Sequence, residues 1–380
     1  GPTTTTMFKN ITVFRVADLP AMTSLIDGDW PAFTPCGPTQ PASIGWVPPR
    51  GQHETDMVEI VGGQIILRAC IETKQVPPAT LDKAVDVLAA TYNQRTGLKA
   101  SKKMRKELKD IARLELLPQA FPRQKRIPVW IDHAAGLLVI GSASNAAVDA
   151  VVTLLVQTLE GIKVSPINTA DSPMYLMTSW LQDGETHFPE FTLDRACELR
   201  ADDEMRSTVR YARSPLDTDE VKAHIAAGLR ARSLAMTWNS RVSFTLTACL
   251  QLRGIEFLDV VFAERDTDVA DQFAADAAIS TGELGRVIAD LIEALDGEVV
   301  AEGGGSAVEI LVDQIIRVES GGKADAANPL STAVGLGQFI ESTWLRMMAQ
   351  YRPDLASTMD RTALLALRTD PTISREMVIA

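Results

Sequence analysis

Histidine and cysteine are scarce. The 380 residues hold four of each: His53, His133, His187 and His224, and Cys36, Cys70, Cys197 and Cys249. No two of them show the close paired spacing of a zinc site, so neither a metal nor any other cofactor is expected. The same scatter suits reduced, mostly buried thiols in a cytosolic protein. Long apolar runs are missing too: nothing approaches the roughly 18–20 residues that a membrane-spanning helix needs. The opening Gly1-Pro2-Thr3-Thr4-Thr5-Thr6 has no basic region and no apolar core, and so does not read as a signal peptide. Gly1-Pro2 has the form of a scar left by tag cleavage; residues 1–6 are expected to be disordered, with the natural start at Met7. Internal repeats and long low-complexity tracts are also lacking.

Excess positive charge is absent overall, since the net charge is −12. That argues against a simple basic nucleic-acid binder. The charge is unevenly placed, however. From Lys99 to Arg126 stand ten basic residues against three acidic ones, Glu107, Asp110 and Glu115. The local field of such a zone acts at contact distance, because salt screens beyond about 10 Å.

Apolar periodicity divides the chain into strands and helices. Phe8–Val16 reads as a strand, and Val58–Ile71 as a strand-rich run with Gly62-Gly63 as a turn or bulge. Ala79–Tyr92 is helical by period, and Ser101 can cap a second helix running to about Leu117, before Pro118. Ile127–Asp132 and Leu137–Ile140 read as strands around Ala134-Ala135-Gly136, Asn145–Leu159 as a helix, Val242–Leu246 and Ile255–Phe262 as strands, and Glu283–Leu295 as a helix. The mixed order lacks a βαβ rhythm and predicts an α+β fold. Gly303-Gly304-Gly305-Ser306 has the composition of a flexible linker, and also the form of a fused or engineered junction. The expected division is 1–6, 7–301, a linker at 302–306, and 307–380.

The helix from Lys102 to Leu117 has two faces. Met104, Leu108 and Ile111 are expected to pack. At 100° per residue, Lys102, Lys106, Lys109 and Arg113 form a cationic stripe about 16 Å long on the opposite side. Such a stripe suits a line of phosphates; it also suits a plain solvated face. Phe121, between Pro118 and Pro122, reads either as an exposed wedge or as a buried aromatic. Trp46 and Trp130 are expected in the core.

The segments Phe33–Pro38 (FTPCGP), Ile44–Gly51 (IGWVPPRG), Gly62–Ala69 (GGQIILRA), Leu116–Arg123 (LLPQAFPR), Trp130–Asp132 (WID), His224–Gly228 (HIAAG) with Trp238 after it, and Thr281–Leu284 (TGEL) resemble the RdgC family in identity, order and spacing. The resemblance covers about Met7 to Val300. It implies a homodimeric ring with a basic hole that encircles duplex DNA without sequence preference, restrains RecA-driven strand exchange, associates with the nucleoid and performs no catalysis. The DNA-contacting residues implied are Lys99, Lys102, Lys103, Lys106, Lys109, Arg113, Phe121, Arg123, Lys125 and Arg126, with Arg210, Arg213, Arg230 and Arg232 in segments that match basic family segments.

From Ala307 the chain changes character. Glu319-Ser320-Gly321-Gly322 and Gly335-Leu336-Gly337-Gln338-Phe339 resemble the soluble lytic transglycosylase and goose-type lysozyme family. That implies a mostly α-helical segment with Glu319 as general acid toward peptidoglycan. Val308, Leu311, Val312 and Ile315 share a helix face with Glu319, where desolvation raises a carboxyl pKa. The segment stops short of the family's full length and lacks its later Tyr-bearing part. It carries a net charge of −3 from Glu302 to Ala380. It is expected to be inert, both as an enzyme and toward DNA, and partly unfolded on its tether.

Overall fold

The computed structural model describes residues 7–263, 270–299, 315–316 and 334–380. The expected tag scar, the Gly-rich linker and Glu319 lie outside the described residues. The chain forms two units. One takes in the chain up to Ala17, Ala135–Ala143 and the chain from Val164 onward; the other takes in Asp18–Ala134 and Ser144–Lys163. The region read as 7–301 therefore contains parts of both. The architecture is α+β with antiparallel strand pairing throughout the registers given below.

The first unit is built on β1 (Ile11–Ala17), β6 (Leu137–Ile140), β8 (Phe191–Ala201), β9 (Thr208–Tyr211), β10 (Leu229–Trp238), β11 (Val242–Thr247) and β12 (Gln251–Phe257), paired in the order β6-β1-β12-β11-β10-β8-β9. A further strand, β7 (Lys163–Pro166), pairs with β1. Along β10 the buried residues are Leu229 and Ala231, then Leu234, Met236 and Trp238. The change from odd to even positions coincides with register shifts against β8 between Ala231 and Ser233 and between Leu234 and Met236. An irregular residue flips the face that every later side chain points to. Helix α5 (Pro173–Asp183) covers this sheet, and its Thr178 hydroxyl accepts from Ala231 N at 2.9 Å. Helix α6 (Asp219–Ala226) ends at the HIAAG segment, where Gly228 takes φ +96°.

The strand expected at Ile255–Phe262 is instead β12 ending at Phe257, followed by the short helix α7 (Asp259–Ala263). The helix expected at Glu283–Leu295 starts earlier, as α8 (Gln272–Ala294), with Asp271 as its cap through Ala274 N. In α8, Ala277, Leu284, Val287, Ile288 and Leu291 are buried at helical spacing. Glu283 is buried as well and accepts from Arg241 Nη2 at 2.7 Å, while Asp290 accepts from Trp238 Nε1 at 2.7 Å.

In the same unit, α9 (Glu341–Tyr351), α10 (Pro353–Ala356), α11 (Arg361–Ala366) and α12 (Pro371–Ile379) pack around Trp344, Met348, Leu364 and Met377. Residues 334–380 thus have their own apolar cluster, where the sequence suggested a partly unfolded fragment. Trp344 Nε1 donates to Leu364 O at 2.7 Å. The Gly335–Phe339 motif is a tight turn, with Val334 bridging Phe339 and Gly335 at φ +91°.

The second unit is built on β2 (Ala42–Val47), β3 (Glu59–Val61), β4 (Gln64–Lys74) and β5 (Pro122–Asp132), with β4 between β5 on one side and β2 and β3 on the other. Gly62 and Gly63, at φ +56° and +79°, make the two-residue turn between β3 and β4. Such a turn needs positive φ at both positions. Trp46 and Trp130 are 1% exposed. Trp46 Nε1 donates to Thr158 of helix α4 (Asn145–Thr158) at 2.9 Å, and its ring meets Trp30 edge-on at 5.2 Å. Gly45 is needed because the backbone at Phe33 passes where a Cβ would sit, 2.4 Å away. A short helix, α1 (Met22–Ile26), completes the start of this unit.

Of the four thiols, Cys70 and Cys197 are buried, Cys36 is half-buried and Cys249 is exposed. Burial pushes the Cys197 thiol up to about 11. Among the described residues, no helix is long and apolar enough to cross a membrane.

Candidate nucleic-acid interface

The basic zone belongs to the second unit. Helix α2 (Pro78–Thr96) ends at Gly97, whose φ of +71° closes it in the left-handed conformation. Helix α3 (Lys102–Leu116) follows at once, with the Ser101 hydroxyl accepting from Met104 N at 3.1 Å. Lys, Glu, Leu, Arg and Ala dominate α3, all good helix formers, and Pro118 bars its continuation. The two helices join through Leu81 and Val85 of α2 and Leu108 and Ala112 of α3, with Met104 partly buried beside them.

This corrects the expected packing face of α3. Ile111 is 46% exposed, and Ala112 takes its place against α2. A single neighbouring helix covers one narrow row of side chains, here 104, 108 and 112 at the i, i+4 spacing. The small Ala112 lets the helices approach.

Lys102, Lys103, Lys106, Lys109 and Arg113 are all exposed. At 100° per residue, Lys102, Lys106, Lys109 and Arg113 fall within an arc of about 60°. Among the described residues, no carboxylate lies within 4 Å of Lys102, Lys103, Lys106 or Lys109. Arg113 is different, since its Nη1 reaches Asp110 at 3.1 Å. Arg105, outside the stripe, is bound across the hairpin to Asp86 at 2.7 Å.

Lys99 is exposed in the link between α2 and α3. Phe121 is 91% exposed between Pro118 and Pro122, which decides between the two expectations for it in favour of the exposed ring. Arg123, Lys125 and Arg126 follow on the exposed first half of β5, with Arg126 Nη2 donating to Gln124 at 3.2 Å. The ten candidate residues from Lys99 to Arg126 therefore share one unit, and all ten are exposed.

The other four candidates lie in the first unit, and three are engaged there. Arg210 on β9 binds Glu198 at 2.7 Å, and this hydrogen bond holds the Glu198 carboxyl below the usual range. Arg230 donates to the carbonyls of Leu229 and Ile225 at 3.0 and 3.4 Å. Arg232 lies 3.5 Å from Asp202, whose carboxyl is pushed up by burial. Arg213 is exposed, at φ +54°.

Arg68 lies in no basic cluster of the sequence. Its signal was a lone cation inside the apolar run Ile65–Ile71. The structure sets it at a cavity on the β4–β5 face, together with Cys70, Gln124 and Arg126.

Comparison with known proteins places these features in context. A family model described as "Putative exonuclease, RdgC" matches residues 6–298. The recombination-associated protein RdgC of Janthinobacterium sp. (strain Marseille) is 36% identical over 298 residues, which cover 77% of this chain and 98% of that protein. The protein of the same description from Herminiimonas arsenicoxydans is 36% identical over 297 residues, with the same shares covered. That of Cupriavidus necator is 38% identical over 270 residues, or 70% of this chain and 89% of that protein. The family match ends at residue 298, and none of these likenesses supports the lysozyme-like reading of residues 307–380.

Proposed function

Because this chain belongs to the RdgC family, we propose that it is a recombination-associated protein that binds duplex DNA without sequence preference. The observation that carries this reading is the row Lys102, Lys106 and Lys109. These ammonium groups are exposed on one side of a braced helical hairpin and unclaimed by any described carboxylate. Lysines in a row meet phosphates, and phosphate contacts hold DNA without reading its bases. Lys99, Lys103 and Arg113 on or beside α3, and Arg123, Lys125 and Arg126 on the exposed first half of β5, supply further contacts, with Phe121 as a wedge toward DNA or a partner subunit.

The net charge of −12 would repel DNA from an open surface. The assembly that resolves this is a homodimer closed into a ring, acidic outside and basic within. Bound in this way, the protein restrains RecA-driven strand exchange by occupying the duplex, and it sits at the nucleoid. Peptidoglycan cleavage through Glu319 has no observation in its favour.

Encirclement is tested on a linear duplex with free ends and on the same duplex with both ends blocked. Dissociation should slow markedly when the ends are blocked, and the free protein should have the solution mass of a dimer. Equal dissociation from both, or a monomeric mass, defeats the ring.

A further inference from the structure

A cavity of about 520 Å³ opens on one face of the β2–β4–β5 sheet. The register of β4 on β5 sets Cys70 opposite Arg126 and Arg68 opposite Pro128. Arg68 and Arg126 are therefore diagonal neighbours on this face, at a separation of roughly 7–8 Å. Phe33, Pro35, Val47 and Pro48 add apolar surface to its lining, beside Gln52 and Gln124.

The nearby Glu72 carboxylate keeps its charge but pairs with neither guanidinium. Among the described residues, no carboxylate lies within 4 Å of either. Arg126 reaches only the Gln124 amide oxygen, at 3.2 Å. Glu72, further along β4, is engaged by Cys36 N and by Gln124 Nε2 at 3.1 Å. Burial pushes the Cys70 thiol up and keeps it neutral, so it offsets no charge. Burial, and then the charge of Arg126, hold the Arg68 guanidinium below its ordinary range. Two like charges in a concavity repel each other, and an anion between them removes that repulsion. The planar guanidinium fork matches phosphate oxygens. The apolar part of the lining offers a ring a surface to pack on, and the volume lies in the usual range for a small ligand.

We propose that this cavity is a binding site for a nucleoside monophosphate, with the phosphate held between Arg68 and Arg126 and the base against Phe33, Pro35 and Pro48. The site uses none of the α3 lysines; it shares Arg126 with the residues proposed to meet duplex DNA, whereas Arg68 belongs to it alone. The nucleotide can be free or can stand at a strand end, since both present the same chemistry.

The test is calorimetry on the full chain with 2′-deoxyadenosine 5′-monophosphate, deoxyadenosine and inorganic phosphate. The monophosphate should bind at least about tenfold more tightly than either part alone, and Arg68→Gln and Arg126→Gln should each weaken it by about tenfold or more. Arg126 is exposed on β5, so its variant keeps the test valid if Arg68→Gln fails to fold. Lys106→Ala should leave the monophosphate affinity unchanged. Equal affinity for deoxyadenosine, or unchanged affinity in both arginine variants, overturns the site. A short duplex that displaces the nucleotide only when 5′-phosphorylated identifies a strand end as the source. A nucleotide displaced by neither form identifies the free ligand.

Discussion

Replacing Lys102, Lys106 and Lys109 together with alanine should cut duplex affinity by a calculable amount. The three lysines are spread over seven residue steps, a rise of about 10 Å, close to that of three base pairs. Each lacks a described carboxylate partner, so each is available to one phosphate. One neutralised phosphate contributes about 0.9 to the slope of log K against log salt. Three contacts remove about 2.7 from that slope for each protomer, and about 5.4 for the proposed dimer. Relative to 1 M salt, each contact is about eightfold at 0.1 M, and three together are about 500-fold. Arg113 should matter less, because Asp110 holds it at 3.1 Å. That pair is largely exposed and weak, so Asp110→Asn should free Arg113 and strengthen binding. Alanine is the best helix former, and none of the three side chains belongs to the apolar cluster that joins α2 to α3. The fold should therefore persist, with circular dichroism as the check. The assay is fluorescence anisotropy on random-sequence duplex from about 50 to about 300 mM salt, the range over which such slopes are steep. An unchanged slope in the folded triple variant would mean that these lysines touch no phosphate, and an equal loss for Arg113→Ala and Lys106→Ala would mean that Asp110 does not hold Arg113 back.

Gly45→Ala would drive the Phe33 segment off β2 and break the bonds Phe33 N to Trp46 O and Trp46 N to Pro31 O, each 2.9 Å. The expected cost is about 2–4 kcal/mol in urea unfolding, and a change under about 0.5 kcal/mol contradicts the close approach. Glu198 has a folded-state pKa below its ordinary 4.5, chiefly through the hydrogen bond from Arg210. A depressed carboxyl gives stability that is present above the unfolded value and lost as pH falls through the folded one. Arg210→Ala should therefore destabilise the protein near pH 7, with the gap to wild type closing as pH falls below about 4.5; a constant gap across that window rules this out. A chain ending at Ala301 should bind duplex as the full chain does, and neither it nor Glu319→Gln should differ from the full chain in a peptidoglycan turbidity assay. Clearing by the full chain alone would restore the enzyme reading.

Local chemistry was legible in the sequence. Ser101 as a cap, Gly62-Gly63 as a turn or bulge and the 100° spacing of the lysines depend on neighbours a few residues away; the structure makes Gly62-Gly63 the turn of a hairpin. The composition of the basic zone is equally local. What needed the tertiary structure was everything set by a distant partner. Strand β10 is not legible in the sequence because its irregular register shifts the apolar residues from odd to even positions, which destroys the alternation a strand shows. Ile111 was read as packed because it is apolar, yet the row that meets α2 runs through Ala112. Arg210, Arg230 and Arg232 lie in segments that resemble basic family segments, and only β8, β9 and β10 bring Glu198, backbone carbonyls and Asp202 to them. Arg68 and Arg126 lie 58 positions apart in the sequence and become neighbours only through the β4–β5 register. Charge is written in the residues, but whether it is free to act depends on which strand lies beside it.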